Sequence, residues 1–111
     1  MSCINPTKLL WTIPRGCEFN YDIEFNAVTA DGSDYDLTGK VVIVTIGDTT
    51  YRSGTDAQLA VPTPTNGVAQ LRMADADTGA FALQRYSLLI EIEHSAGHTT
   101  RYREGVAQFT P

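Results

Sequence analysis

The sequence predicts an all-β fold, an antiparallel β-sandwich with six to eight strands and Greek-key connections. Three observations favour it: polar and apolar residues alternate over much of the chain, turn-forming residues recur at regular intervals, and helical periodicity is scarce. Residues 18–25, EFNYDIEF, alternate at every position, which is typical of a strand with one buried face. A chain of 111 residues is long enough for one hydrophobic core without metal or disulfide support.

Four further segments carry strand patterns. The apolar run KVVIVTI at 40–46 is rich in β-branched residues, which is typical of a strand covered on both faces. Segments 67–73 and 86–94 alternate again, and segment 98–110 closes the chain as a last strand. Turn-forming residues separate the strands, at 30–34, 46–50, 62–67 and 95–97.

The stretch 74–83 lacks alternation. Asp75 or Asp77, placed before small residues, predicts one helical turn near residues 75–80 with an aspartate as its N-cap. The apolar phase of three alternating strands predicts the core residues, which are Phe19, Tyr21, Ile23, Phe25, Leu71, Leu88, Ile90 and Ile92.

Charge and composition argue against several classes of partner. The net charge is −5, and the eight Lys and Arg residues are scattered, so we expect no nucleic-acid partner. Arg101 and Arg103 stand two apart on a predicted strand and would share one face, either as a phosphate contact or, in the simpler interpretation, as a solvated face opposite acidic neighbours. With no apolar run of membrane-spanning length and no secretion signal, we expect a protein that stays in the cytosol where it is made, with no membrane partner.

The two cysteines, Cys3 and Cys17, are expected to be free thiols, because a disulfide would be unusual in a reducing compartment. Their spacing does not fit a zinc framework.

Two groups of residues invite a metal-site hypothesis. Asp75 and Asp77 resemble the opening of a calcium loop, but the following positions lack the remaining oxygen ligands, so helix capping is the simpler interpretation. His94 and His98 flank a predicted turn, and the nearby glutamates point to the opposite face of the strand. We therefore expect no metal and no cofactor. No nucleophile motif or phosphate-binding glycine cluster is present either, so the sequence does not predict an enzyme.

Several short motifs occur in an order that resembles a known family. They are Arg15-Gly16 before the alternating strand, Asp31-Gly32, Asp36-Leu37-Thr38-Gly39, Thr78, Tyr86, and Gly105-Val106 through Pro111. This order resembles the small immunoglobulin-like structural proteins of tailed bacteriophages and prophages, found as tail, baseplate or fibre-attachment modules. The resemblance spans residues 13–111. The chain differs from the family pattern at Cys17, where an acidic or polar residue is usual, and at Arg85, where glycine is usual.

The resemblance implies an immunoglobulin-like sandwich that serves as a non-catalytic virion structural protein. Its place would be the tail, the baseplate, a fibre adaptor or the capsid decoration, assembled in the host cytoplasm. Its partners would be other virion proteins and copies of itself, as a homo-oligomer. The alternative is a β-sandwich module that binds carbohydrate or a host surface, for which the candidate aromatic residues are Trp11, Tyr35, Tyr51 and Tyr102.

Two segments are candidates for partner contacts. Residues 1–12 form an N-terminal arm or a first strand ahead of a single sandwich domain at 13–111, and the arm either completes this sandwich or contacts a neighbour. Residues 53–66 form a long connection whose two prolines restrict the chain, which lowers the entropy lost on docking. The candidate contact residues of the two segments are Ile4, Leu9, Leu10, Trp11, Leu59, Val61, Pro62 and Pro64.

Overall fold

Two β-sheets that share one hydrophobic core make up the fold in a computed structural model, which describes residues 9–25, 35–95 and 97–111. The predicted turn at 30–34 and the residues Cys3 and Ile4 lie outside the described residues. The strands are β1 (Leu9–Pro14), β2 (Phe19–Glu24), β3 (Val41–Ile46), β4 (Thr49–Arg52), β5 (Leu59–Ala60), β6 (Val68–Met73), β7 (Arg85–Ser95) and β8 (His98–Thr110). A short helix, α1 (Asp75–Gly79), follows β6, as predicted.

The larger sheet has five strands in the order β1-β8-β7-β3-β4, and the smaller has three in the order β2-β6-β5. All pairs are antiparallel except β1 and β8, which run parallel, so the prediction of a purely antiparallel sandwich is wrong at this edge. A parallel pair needs a long connection, and nearly the whole chain separates these two strands.

The predicted strand phases are confirmed in β2, β6 and β7. Ile23, Phe25, Leu71, Leu88, Ile90 and Ile92 are buried in the core. Phe19 and Tyr21 are only half-buried, because they lie on an edge strand of the smaller sheet and pack against Trp11 with ring centroids 5.5 and 4.7 Å from its own.

Strand β3 is covered on both faces, as its apolar run predicts. Val42, Val44 and Ile46 lie fully buried on the core face. On the outer face Ile43 is also buried, in register with Arg52 on one side and Glu91 on the other. Arg52 reaches diagonally across β3 to Glu93 in an ion pair of 2.7 Å, so long polar side chains supply the outer cover.

A register shift between β7 and β8 separates the two arginines that the sequence places on one face. Arg103 is in register with the buried Ile90, whereas Arg101 is in register with the next residue, Glu91. Tyr102 is the extra residue between these two pairs, which is the pattern of a β-bulge. Residues directly opposite each other share a face, so the predicted common face of Arg101 and Arg103 is wrong.

Helix α1 is held at both ends by side chains. Its N-cap is Ala74 rather than an aspartate, and Asp77 accepts a hydrogen bond from the Ala74 N–H at 2.9 Å. At the other end the Arg15 guanidinium donates from Nε to the Phe81 carbonyl at 2.5 Å and from Nη2 to the Gly79 carbonyl at 3.0 Å. A cation at these carbonyls favours the helix C-terminus, so Arg15 ties the turn after β1 to α1.

The motif at 36–39 is a turn with a buried anchor. Asp36 Oδ1 accepts a hydrogen bond from the Thr38 N–H at 2.9 Å, and hydrogen bonds with Thr38 hold the Asp36 pKa below its ordinary value of 3.8. Gly39 follows with a φ of 76°, a conformation that glycine adopts freely. Between them Leu37 is 1% exposed and reaches the core, so the turn is fixed from inside.

Candidate functional site

A groove of about 760 Å³ opens where the end of β4 leads into β5, beside the start of β3. We call it the edge groove and define it by Leu37, Lys40, Val41, Ala57, Ala60 and Val61, together with Gly39, residues 53–56, Leu59 and Pro64. Both β4 and β5 stand at the edge of their sheets. The groove therefore lies between two strands whose outer backbone groups have no strand partner in the described part of the chain.

Two polar side chains of the edge groove, Asp56 and Ser53, hold its walls through hydrogen bonds. Asp56 Oδ2 accepts a hydrogen bond from the Arg52 N–H at 2.8 Å, and Ser53 Oγ accepts one from the Val42 N–H at 2.9 Å. Lys40 lies 5.8 Å from the ring centroid of Tyr35. The remaining lining is largely aliphatic, so the groove suits contact with apolar side chains and offers no nucleophile and base in one hydrogen bond.

Four of the predicted contact residues lie at or beside the edge groove, and their exposure differs. Val61 and Pro64 are half-buried in its lining, and Leu59 lines it but is 1% exposed. Pro62 is exposed next to them, outside the lining. Leu59 thus supports the groove from below, and Val61 with Pro62 presents the surface that a partner could reach.

The predicted residues of the N-terminal segment divide between core and surface. Trp11 is 3% exposed and Ile13 is fully buried, so these two complete the chain's own sandwich, which is one of the two alternatives above. The hypothesis that Trp11 anchors a partner is therefore not supported, because the ring is covered by Phe19 and Tyr21. Leu9 is half-buried, and Leu10 is 64% exposed on β1.

A second concavity, of about 320 Å³, lies near the β7–β8 connection and is lined by Tyr35, Ile92, His94, Thr100, Arg101 and Tyr102. We call it the hairpin pocket. Two of the four aromatic candidates for carbohydrate binding, Tyr35 and Tyr102, line it, whereas Tyr51 is 7% exposed and, like Trp11, belongs to the core.

The hairpin pocket is bordered by fixed polar groups. Tyr102 Oη donates to the Glu24 carbonyl at 2.7 Å, and burial raises the pKa of this phenol above its ordinary value of 10.0. The Tyr102 ring packs on Phe25 with centroids 4.4 Å apart, and the Arg103 guanidinium lies 4.9 Å from its centroid. His94 Nε2 and Thr100 Oγ1 share a hydrogen bond of 2.9 Å. Rings next to donors and acceptors are a combination that suits a small polar ligand.

The candidate metal residues either form hydrogen bonds to other groups or lie apart from further candidate ligands. Asp77 accepts hydrogen bonds from Ala74 and from Gln58 Nε2, the latter at 3.1 Å. His94 is bonded to Thr100, and His98 is exposed at the end of the hairpin. Across the described ranges, no group of three or more His, Cys, Asp or Glu side chains could hold an ion. The Cys17 thiol is free and exposed. The backbone carbonyl of Cys17 accepts a hydrogen bond from Thr78 Oγ1 at 2.8 Å.

Sequence patterns did not reveal Leu37 and Lys40 as groove residues or His94 and Thr100 as pocket residues, whereas Asp56 lies inside the segment 53–66 that they did single out. The groove joins residues about twenty positions apart, which come together through the pairing of β3 with β4 and through a hydrogen bond of 2.8 Å from the Leu37 N–H to the Pro64 carbonyl. A partial signal exists in Leu37, an apolar residue isolated among turn residues.

None of the helices in the described residues is long and apolar enough to cross a membrane. A search against models of known protein families gives no match for this chain, and no curated protein matches its sequence.

Proposed function

We propose that the chain is a non-catalytic assembly module of a bacteriophage particle, an immunoglobulin-like sandwich that contacts neighbouring virion proteins through its edge groove. The phage assignment is supported by the ordered motifs that resemble the small structural proteins of tailed phages. The assembly role is supported by the edge groove, an open and largely aliphatic surface between two unpaired sheet edges.

Strand order supports the immunoglobulin-like part of the proposal. In that fold one sheet contains strands B, E and D, and the other contains G, F and C, to which C′ is added in variable-type domains. The order β2-β6-β5 corresponds to B-E-D, and β8-β7-β3-β4 corresponds to G-F-C-C′. The buried disulfide typical of antibody domains has no counterpart among the described residues, where Cys17 is a free, exposed thiol between β1 and β2.

The observation that carries the assembly role is the combination of aliphatic walls and engaged polar groups in the edge groove. A catalytic cleft needs free titratable groups in reach of one another, whereas Asp56 and Ser53 are bonded to backbone N–H groups here. Burial of these aliphatic walls under a partner stabilises the complex by roughly 25 cal/mol per Å² of apolar surface removed from water. The groove thus supports a role in contact, and the partners we propose are virion proteins or further copies of this chain.

The test is a matched pair of charge substitutions in a phage or prophage genome that encodes the chain. Ala60→Glu places a carboxylate in the groove at an exposed position, and Ala82→Glu places one at an exposed position outside it. Both variants should keep the wild-type melting temperature, because exposed substitutions of this kind change stability little. We expect Ala60→Glu to lower the amount of the chain in purified particles severalfold and Ala82→Glu to leave it unchanged.

Two results would overturn the proposal. If the wild-type chain is missing from purified particles, the virion role is wrong. If Ala60→Glu enters particles as well as Ala82→Glu does, the edge groove is not the contact surface.

The hairpin pocket supports a second candidate function, binding of a carbohydrate on a host surface. Tyr35 and Tyr102 line a volume of about 320 Å³ with aromatic side chains, and His94, Thr100 and Arg101 line it with polar ones. An aromatic lining with a few placed polar groups is typical of pockets that bind small ligands. A glycan array with the isolated chain distinguishes the functions. Specific binding that Arg101→Ala abolishes supports this second function, and an array without signal removes it.

A further inference from the structure

Among the described residues, strand β1 is an edge strand that carries none of the charges that protect edges. It ends the larger sheet, and β8 is its one strand partner among the described residues. Its sequence, Leu-Leu-Trp-Thr-Ile-Pro, contains no charged residue, and Pro14 stands only at its end. An edge of this kind presents a row of unpaired N–H and C=O groups and is a template for another strand.

The three other edge strands of the described sheets are protected. Strand β2 carries Asp22 and Glu24, β4 has four residues and ends on the half-exposed Arg52, and β5 has two residues. Charges and short length are the usual devices against unwanted pairing. Their presence on three edges and their absence on β1 distinguish this edge as the one best suited to pair with a further strand.

The outer face of β1 adds an apolar contact. Leu10 is 64% exposed and stands in register with the half-buried Val106 of β8. Together they form an apolar row that runs to the open edge of the sheet. A strand laid beside β1 would continue this row and take Leu10 out of water.

We infer that β1 pairs antiparallel with β1 of a second copy, around a two-fold axis perpendicular to the sheet, so that two larger sheets become one continuous sheet. A strand without charges can face its own copy, whereas β2 would bring its carboxylates against one another. This inference goes beyond the proposed function, since it concerns the state of the chain before it meets any other protein.

The geometry limits the pairing to a few registers. Opposed residues share a face, so Leu10 must face a residue of its own phase, either Leu10 or Thr12 of the second copy. Pro14 lacks the N–H that a ladder needs, which disfavours pairing Leu10 with Pro14. In both remaining registers the two Leu10 side chains are direct or diagonal neighbours, so like charges placed there would repel.

The experiment is sedimentation analysis of the full chain at concentrations up to about 1 mM, the range in which weak association is still measurable. The variants are Leu10→Lys, Leu10→Glu and the matched control Leu83→Lys, which changes the other strongly exposed leucine of the described residues, at 55% exposure. All should fold with the wild-type melting temperature, because both positions are exposed.

We expect the wild type and Leu83→Lys to show the same monomer–dimer equilibrium. Leu10→Lys alone and Leu10→Glu alone should each raise the dimer dissociation constant at least tenfold. An equimolar mixture of the two variants should restore dimers through a Lys–Glu pair. The inference is overturned by a wild type that remains monomeric throughout the range or forms open-ended polymers, by a Leu10→Lys variant that dimerises like the wild type, or by a mixture that stays monomeric. None of these results bears on the proposed function, which is judged by incorporation into particles.

Discussion

At the scale of single residues, a substitution at Ile90 tests the predicted alternation of buried and outward-facing side chains along β7. It is fully buried at the middle of β7, in register with Val44 of β3. Ile90→Ala should leave a cavity and lower the free energy of unfolding by about 2–5 kcal/mol, measured by urea denaturation. The neighbouring Leu89 points to the opposite face and is half-buried, so Leu89→Ala is the control and should cost clearly less. Equal costs would mean that the strand phase is wrong.

Gly105 is required by a close approach of two strands. A Cβ at this position would collide with the carbonyl group and backbone nitrogen of Leu9 on β1. Backbone atoms cannot turn away as a side chain can, so Gly105→Ala should lower the free energy of unfolding by about 3 kcal/mol. Gly79→Ala is the control, since a Cβ there would meet only ordinary contacts at 3.9 Å. Gly105→Ala with wild-type stability would contradict the pairing of β1 with β8.

The phenol of Tyr51 should make the folded protein less stable at alkaline pH. Burial, and then the carboxylates of Asp77 and Asp56, raise the pKa of its phenol above the ordinary value of 10.0. A raised pKa in the folded state means that the neutral phenol is favoured there, so the stability contribution is complete below pH 10 and is lost as the pH rises further. The free energy of unfolding should fall above pH 10, and less steeply in Tyr51→Phe. The same slope in both proteins would show that Tyr51 is not the cause.

At the scale of elements, the turn after β1 is joined to α1 by one side chain. Arg15 donates hydrogen bonds to the carbonyls of Phe81 and Gly79. Arg15→Ala should lower the free energy of unfolding by about 1.5–3 kcal/mol, the usual range for hydrogen bonds to a charged group. Arg85→Ala, at an exposed arginine that begins β7, is the matched control and should change stability by less than about 0.5 kcal/mol. If both variants unfold alike, Arg15 does not hold α1.

The elements that the sequence predicts correctly are those whose pattern is long enough to define a phase. Alternation over six or more residues locates β2, β6 and β7, and the β-branched run locates β3. The short strand β4 begins inside the turn predicted at 46–50, and β5 lies inside the connection predicted at 53–66. Neither was predicted, because two to four residues carry no readable period. The bulge at Tyr102 could not be predicted either, since it depends on pairing with β7 and not on β8 alone.

At the scale of the whole molecule, the sandwich has two unlike sides. On one side β4 and β5 border the edge groove, and on the other β1 and β2 enclose Trp11, Phe19 and Tyr21. A module with an open aliphatic groove on one side and an unprotected strand edge on the other could contact different neighbours at once. This arrangement suits a part that is used in many copies within a larger particle.

The candidate site was predicted in part. The connection at 53–66 was singled out because its prolines restrict it, and Leu59, Val61 and Pro64 do line the edge groove. Trp11 was misjudged as a contact residue, because its sequence neighbours do not reveal that β2 covers it. Leu37 and Lys40 reach the groove from the turn before β3 and share no sequence signal with that connection.

The virion role is tested most directly by counting this chain in purified phage particles of a genome that encodes it. Quantitative mass spectrometry of banded particles, referred to a capsid protein of known copy number, gives the number of copies per particle. The proposed role predicts a fixed number that survives repeated banding and high salt. A chain that remains in the lysate, or whose copy number falls steadily with each purification step, would contradict it.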